Sequence, residues 1–214
     1  DPFTPLEETL RTLEDLVRAG KVRYLGLSNF KAWQAMKAIC LSQVRDMSPF
    51  VAAQYQYSLV KRDIEYEFLD LFAAENLSLM PWGPLGGGFL TGKYRRHQAP
   101  ASFQAGRIGG TPDEHEESWQ RRNTPRNWDI LDAVGATAVA RDVSFAQVAL
   151  AWLRSRPFVG SVLIGARTEE QLIDNLKAAS LNLSPEEIET LDRASALPEL
   201  YPYRMIEAYA RRHP

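Results

Sequence analysis

The chain has 214 residues, of which 45% are hydrophobic and 24% charged, and its formal net charge is -2. This composition excludes an intrinsically disordered protein, and the lack of a basic excess argues against nucleic acid or an anionic membrane as a partner. The single cysteine, Cys40, cannot form an internal disulfide, which predicts a reducing, cytoplasmic compartment.

The first residues carry no targeting signal that we recognise. Asp1–Pro5 lack the basic stretch and apolar run of a signal peptide, and no apolar run in the chain is long enough to span a bilayer. Because the chain starts on Asp with a helix directly behind it, we expect it to be a piece of a longer protein.

Capping patterns predict where several helices begin. Thr4 stands at an N-cap position, Pro5 at the first helical position and Glu7 three residues after Thr4, so we expect a helix over about Pro5 to Ala19, ended by Gly20. Three later helices are predicted by the same box, at Ser144 with Gln147, at Thr168 with Gln171 and at Ser184 with Glu187.

Short apolar segments alternate with helical stretches, which predicts an α/β fold with a parallel sheet. The expected strands are Val22–Leu27, Val51–Tyr57, Leu77–Trp82 and Ser161–Ile164, and the expected helices between and after them include Lys31–Leu41, Ile64–Glu75 and Thr168–Ala179. A polar, Gly-rich and Pro-rich stretch, about 86–126, is predicted to be a long loop. Four strands fit half of a (β/α)₈ barrel and equally a small doubly wound sheet.

Polar and glycine-rich motifs follow the predicted strands, where parallel α/β folds collect their ligands. The motifs are Gly26-Leu27-Ser28-Asn29-Phe30, Pro84-Leu85-Gly86-Gly87-Gly88-Phe89-Leu90-Thr91-Gly92-Lys93-Tyr94 and Ile164-Gly165-Ala166-Arg167. In this order they resemble the aldo-keto reductase family, from the helix after barrel strand four to the C-terminus. The resemblance implies that residues 1–214 are one partial domain, the C-terminal half of a (β/α)₈ TIM barrel, which uses NADP(H) to reduce aldehydes or ketones.

The resemblance also implies contacts to the nicotinamide end of the cofactor. Ser28, Asn29 and Gln54 match positions that hydrogen-bond the carboxamide, and Trp82 matches the aromatic residue on which the ring stacks. Two plainer interpretations stay open. Ser28 and Asn29 are also typical caps for a helix starting near Lys31, and an isolated Trp is usually a core residue.

Two further motifs match the phosphates and the adenosine. Around the pyrophosphate the resemblance implies Gly83, Pro84, Leu85, Gly86, Gly88, Lys93 and Arg107. Around the ribose phosphate and the adenine it implies Ile164, Gly165, Ala166, Arg167, Gln171, Asp174 and Asn175. Arg167 lies at a helix N-terminus, where backbone amides and a forked cation favour an anion. Alternatives are solvated charges at Lys93 and Arg107, a surface ion pair of Arg167 with Glu170, and a weak phosphate-loop match over Gly87–Lys93 that lacks the Ser or Thr after Lys93.

The catalytic Asp, Tyr, Lys and His of the family have no counterpart in this chain, so we assign no catalytic residue and no metal ligand. The histidines, His97, His115 and His213, follow no predicted strand. Two hypotheses remain: part of a reductase acting on a small carbonyl compound, or a non-catalytic nucleotide-binding half-barrel that serves as a binding or regulatory module. In either case, exposed sheet edges predict self-association.

Overall fold

Three parallel strands form the sheet of this chain, in a computed structural model that describes residues 3–100 and 107–212. They are β1 (Leu25–Ser28), β2 (Phe50–Gln54) and β3 (Ser78–Leu79), in that spatial order. In the register, Ser28 lies opposite Gln54 and Ala53 opposite Leu79, which brings the ends of β1 and β2 to one edge of the sheet. The predicted α/β class with a parallel sheet is confirmed.

The fourth predicted strand, Ser161–Ile164, is wrong. The chain makes a single parallel bridge to β3 at Val159, and beyond it the backbone amides of Gly160 and Leu163 donate to Leu79 (2.9 Å) and Pro81 (3.1 Å). These two donors are three residues apart, whereas in a parallel ladder every second residue of a strand donates to the same neighbouring strand. The segment therefore follows the edge of β3 without forming a ladder.

Nine α-helices surround the sheet within the described residues. They are α1 (Leu6–Arg18), α2 (Ala32–Val44), α3 (Phe68–Ala74), α4 (Trp119–Arg122), α5 (Pro125–Arg141), α6 (Phe145–Arg154), α7 (Glu169–Lys177), α8 (Pro185–Ala194) and α9 (Tyr203–Arg212). None of the helices in this part of the chain is both long enough and apolar enough to cross a membrane.

The capping predictions are confirmed at three of the four helix starts. The hydroxyl groups of Ser144, Thr168 and Ser184 each accept a hydrogen bond from the backbone amide three residues on, at 3.1, 3.3 and 3.3 Å, and open α6, α7 and α8. The prediction at Thr4 is wrong, because α1 begins at Leu6 with Pro5 as its N-cap and no side-chain cap. Three helix starts are thus encoded in local hydrogen bonds.

The predicted loop of about 86–126 contains more structure than expected. Its described part includes 3-10 turns at Gly86–Thr91 and Arg107–Gly110 and the short α4, and α5 begins at Pro125 with Thr124 as its N-cap. The predicted helix Ile64–Glu75 is divided into a 3-10 turn, Asp63–Tyr66, followed by α3.

The side chains of β2 and of the residues that continue it, 55–57, alternate between two faces of the sheet. Tyr55 and Tyr57 face the helices, where Tyr55 packs on Phe68 and Tyr57 on Trp152. Because side chains alternate along an extended chain, Gln54 and Gln56 lie on the opposite face. Gln54 and Gln56 thus lie on the face of β2 that points away from Phe68 and Trp152.

Candidate functional site

A groove of about 530 Å³ runs between the turn after β3 and the N-terminus of α7. It brings together two motifs that are far apart in sequence. The predicted residues that line it are Gly83, Pro84, Leu85, Gly88, Lys93, Arg107, Ile164, Gly165, Ala166, Arg167, Gln171, Asp174 and Asn175. Gly86 is a buried residue of the same turn, and Ser28, Asn29, Gln54 and Trp82 lie outside the groove.

The wall formed by the turn depends on glycine. Gly83, Gly86, Gly87 and Gly88 all have positive φ, with 90° at Gly88. A Cβ at Gly88 would lie 2.9 Å from Lys93 Nζ, closer than such atoms approach in proteins. The glycines thus let the backbone turn sharply and let a cation lie directly against it.

Two cations face each other across this groove. Partial burial lowers the pKa of Lys93, and the charge of Arg167 lowers it further. An anion bound between these two positive charges would stabilise both of them. The arrangement favours a phosphate-bearing ligand over a neutral or cationic one.

The N-terminus of α7 supplies the other wall. Thr168 caps the helix, and the backbone amide of Arg167 donates to Gln171 Oε1 at 3.0 Å. The remaining amides of the first turn and the helix dipole favour negative charge at this point. The side-chain carbonyl of Gln171 thus stabilises the turn before α7, which leaves its side-chain amide nitrogen for other partners.

Asp174, which is expected to contact the adenosine, lines the groove and also bonds to the neighbouring helix. Its carboxylate accepts hydrogen bonds from the Ser144 hydroxyl at 2.6 Å and from Gln147 Nε2 at 2.5 Å. Both partners belong to the start of α6. Asp174 therefore joins α7 to α6 at the groove, and each of its carboxylate oxygens accepts one hydrogen bond from α6.

A second cavity, of about 510 Å³, lies on the other side of Arg107. Trp82 lines it together with Arg107, Thr111, His115 and Glu116. Trp82 is half-buried rather than part of the core. Arg107 lines both this cavity and the groove and stands at their boundary.

Ser28, Asn29 and Trp82 form one hydrogen-bonded chain beside this cavity. The indole nitrogen of Trp82 donates to Asn29 Oδ1 at 3.3 Å, and Asn29 Nδ2 donates to Ser28 Oγ at 2.9 Å. Asn29 has a φ of 57°, and the N-cap of α2 is Lys31. The alternative that Ser28 and Asn29 cap α2 is therefore wrong, and Gln54 lies opposite Ser28 at the adjacent strand end.

Glu117 and Ser144 line the groove without having been predicted, and His115 lines the Trp82 cavity. Glu117 is a buried carboxylate whose Oε2 lies 3.2 Å from Arg107 Nε. In the sequence it ends an acidic run, residues 113–117, which is typical of a solvated loop. No local pattern distinguishes it from its exposed neighbours.

A sequence model of the aldo/keto reductase family matches residues 1–196. The chain is similar to a probable voltage-gated potassium channel subunit beta from Oryza sativa subsp. japonica, 31% identical over 195 residues, 90% of this chain and 58% of that protein. It is also similar to Protein tas of Escherichia coli (strain K12), 32% identical over 202 residues, 94% of this chain and 55% of that protein. Norsolorinic acid reductase from Aspergillus flavus is 32% identical over 206 residues, 96% of this chain and 49% of that protein. The chain thus spans about half the length of these relatives.

Proposed function

The chain belongs to the aldo/keto reductase family, and we propose that it holds the NADP(H) site of an oxidoreductase that reduces aldehydes or ketones to alcohols. The observation that carries this proposal is the groove in which Lys93 and Arg167 face a turn of positive-φ glycines. A dinucleotide needs a close backbone, cations for its phosphates and a flat surface for its ring. The groove provides the close backbone and the cations, and the adjoining cavity provides the flat surface of Trp82.

The nucleotide would lie along the groove with its phosphates between the turn and α7. Lys93 and Arg107 would bind the pyrophosphate, while Arg167 and the first turn of α7 would bind the ribose phosphate. The nicotinamide would stack on Trp82, with Ser28, Asn29 and Gln54 towards its carboxamide. When bound, NADPH supplies a hydride to the carbonyl carbon.

Titration of the protein with NADPH tests this proposal directly. Binding should quench tryptophan fluorescence in a saturable manner, because Trp82 stacks against the ring, and Trp82→Phe should lose most of that signal while keeping a planar ring. Saturable binding of NADPH that leaves the fluorescence of Trp82 unchanged would contradict the proposed orientation. A complete lack of binding would contradict the cofactor site itself.

Binding of NADPH should weaken as the pH rises towards the lowered pKa of Lys93. That pKa lies below the ordinary lysine value of 10.5, so the ammonium loses its proton earlier than a solvated lysine does. Loss of one charged contact reduces affinity about tenfold. The measurement is the NADPH dissociation constant from about pH 7 to about pH 10. Lys93→Arg, which stays charged in that range, is the matched control and should remove the pH dependence.

A second candidate function, a non-catalytic nucleotide-binding module, is favoured by one observation. One of the similar proteins is named as a probable potassium channel subunit rather than as an enzyme. Such a module would bind NADPH in the same groove without turning over a carbonyl substrate. Assaying binding and reduction on the same preparation of the natural full-length protein separates the two functions.

We further propose that the three-stranded sheet is part of the C-terminal half of a (β/α)₈ barrel, and that its open edges self-associate. Among the described residues, β2 is the only strand partner of β1, and the apolar side chains of Tyr24 and Trp33 nearby are 77% and 63% exposed. At the other edge, Leu176 is 55% exposed beside the segment 159–164. A second copy related by a two-fold axis would cover both edges at once.

Sedimentation velocity of the 214-residue chain at micromolar concentrations should therefore show a dimer or larger species. Leu176→Glu should shift it towards monomer, because the charge would lie at the edge that a second copy covers. Val139→Glu, at a residue that is 80% exposed on α5, is the matched control and should leave the distribution unchanged. A stable monomer with a cooperative melt would refute self-association.

A further inference from the structure

Glu117 is a buried acid at the boundary between the groove and the Trp82 cavity. Its side chain is 7% exposed, whereas the side chain of its partner, Arg107, is 68% exposed. Glu117 Oε2 lies 3.2 Å from Arg107 Nε, and Glu117 Oε1 is buried with no hydrogen-bond partner among the described residues. One end of this ion pair is therefore fixed in the protein and the other end is open to ligands.

The ion pair with Glu117 involves Nε of Arg107 and leaves the two terminal Nη groups available to a ligand. An arginine side chain offers Nε and two terminal Nη groups, and the Nη groups together bind phosphate oxygens in a forked arrangement. Glu117 holds Arg107 by Nε. With the acid at Nε, the two Nη groups are left for other partners, and Arg107 lines the groove.

Glu117 itself is held by the turn after β3. A Cβ at Gly83 would lie 2.8 Å from Glu117 Oε1 and 3.5 Å from Gln56 Nε2, which is also buried without a hydrogen-bond partner in the described part of the chain. The acid thus packs directly on the backbone of a glycine with a φ of 64°. This contact fixes the position of Glu117 relative to the turn that forms the groove wall.

We propose that Glu117 is a positioning residue, which holds Arg107 by Nε so that its Nη groups face the groove and bind the pyrophosphate of the dinucleotide. This inference rests on the proposed function. It adds Glu117 to the residues of the cofactor site, although the sequence pattern of the acidic run 113–117 does not distinguish it. An arginine that is already oriented loses less side-chain entropy on binding than a free one does. Glu117 therefore contributes to affinity without touching the ligand.

A purely structural role for Glu117 must be distinguished from this one. The guanidinium of Arg122 is buried, and burial lowers its pKa while the charge of Glu117 raises it. Removing the acid would leave that buried cation less compensated, and the fold would lose stability. The readout therefore has to separate the pyrophosphate contact from general damage to the site.

The experiment compares two ligands on the natural full-length protein. NADPH carries a pyrophosphate, whereas adenosine 2′-monophosphate carries only the phosphate that faces Arg167. Glu117→Gln should weaken NADPH by about tenfold, the upper cost of ordering one long side chain. It should leave adenosine 2′-monophosphate within about twofold of the unsubstituted protein. Glu114→Gln, an exposed neighbour in the same run that lines neither the groove nor the Trp82 cavity, is the matched control and should change neither ligand.

A double substitution tests whether Glu117 acts through Arg107. The pair Arg107→Ala with Glu117→Gln should bind NADPH no more weakly than Arg107→Ala alone. If Glu117→Gln fails to fold, Glu117→Asp serves instead, since it keeps the charge near Arg122 and withdraws the carboxylate from Arg107. It should again weaken NADPH selectively.

Equal weakening of both ligands, additive losses in the double variant or an unchanged NADPH affinity would each overturn this inference while leaving the cofactor site intact. Failure of the unsubstituted protein to bind NADPH would overturn the proposed function, and the inference with it. The two failures are therefore distinguishable in one series of titrations.

Discussion

Arg167→Ala is expected to weaken NADPH binding by roughly ten- to a hundredfold and to change NADH binding little. A hydrogen bond to a charged group contributes about 1.5–3 kcal/mol, which corresponds to that range of affinities. Arg167 lines the groove at the start of α7 and lies close enough to Lys93 to lower its pKa. The 2′-phosphate distinguishes the two cofactors, so a contact to it affects only NADPH.

The measurement is a pair of titrations, NADPH and NADH, on the substituted and unsubstituted full-length protein. Arg193→Ala is the control, because Arg193 is 74% exposed in an ion pair with Glu189 on α8 and does not line the groove. Equal losses for both cofactors would mean that Arg167 stabilises the turn before α7 and has no role in choosing the cofactor. Restored discrimination in Arg167→Lys would support the charge as the cause.

Local patterns predicted the parts of the fold that local hydrogen bonds determine. The caps at Ser144, Thr168 and Ser184 lie where the sequence places them, since each involves an amide only three residues away. The four glycines at positions 83 and 86–88 indicate a backbone turn that other residues rarely adopt, and all four have positive φ in the structure. That the motif ending in Lys93 and the motif beginning at Ile164 line one groove could be predicted only because they match a family pattern that contains both.

Contacts between residues that are remote in sequence determine the features that local sequence patterns did not predict. Asp174 has the spacing of a ligand residue on α7, yet its carboxylate bonds to Ser144 and Gln147 at the start of α6. Glu117 has the sequence context of a solvated acid, yet it is buried against Gly83. The apolar segment 161–164 has the pattern of a strand, but the bonds of Gly160 and Leu163 to Leu79 and Pro81 are not in ladder spacing. In each case the deciding partner is remote in sequence.

The 214-residue chain is expected to bind NADPH and yet to leave a reactive aldehyde such as nitrobenzaldehyde unreduced above the uncatalysed background. Reduction requires that a hydride reach the carbonyl carbon and a proton reach the oxygen, and a positioned acid accelerates the second transfer by about 10²–10⁴-fold. The prediction rests on the expectation that the family's Asp, Tyr, Lys and His have no counterpart in this chain. Trp82 would hold the ring, but no assigned residue would donate the proton.

His115 makes this prediction testable within the chain itself. It lines the cavity beside Trp82, and an imidazole is a common general acid, although no catalytic geometry is assigned to it. NADPH oxidation is followed by absorbance with and without the aldehyde, on protein that has been shown to bind the cofactor. Turnover that disappears in both His115→Ala and Trp82→Ala, while Glu114→Gln, at an exposed residue outside the cavity, retains it, would refute the prediction and identify His115 as the proton donor. Turnover that survives His115→Ala would refute it as well and would point to a different acid in the cavity.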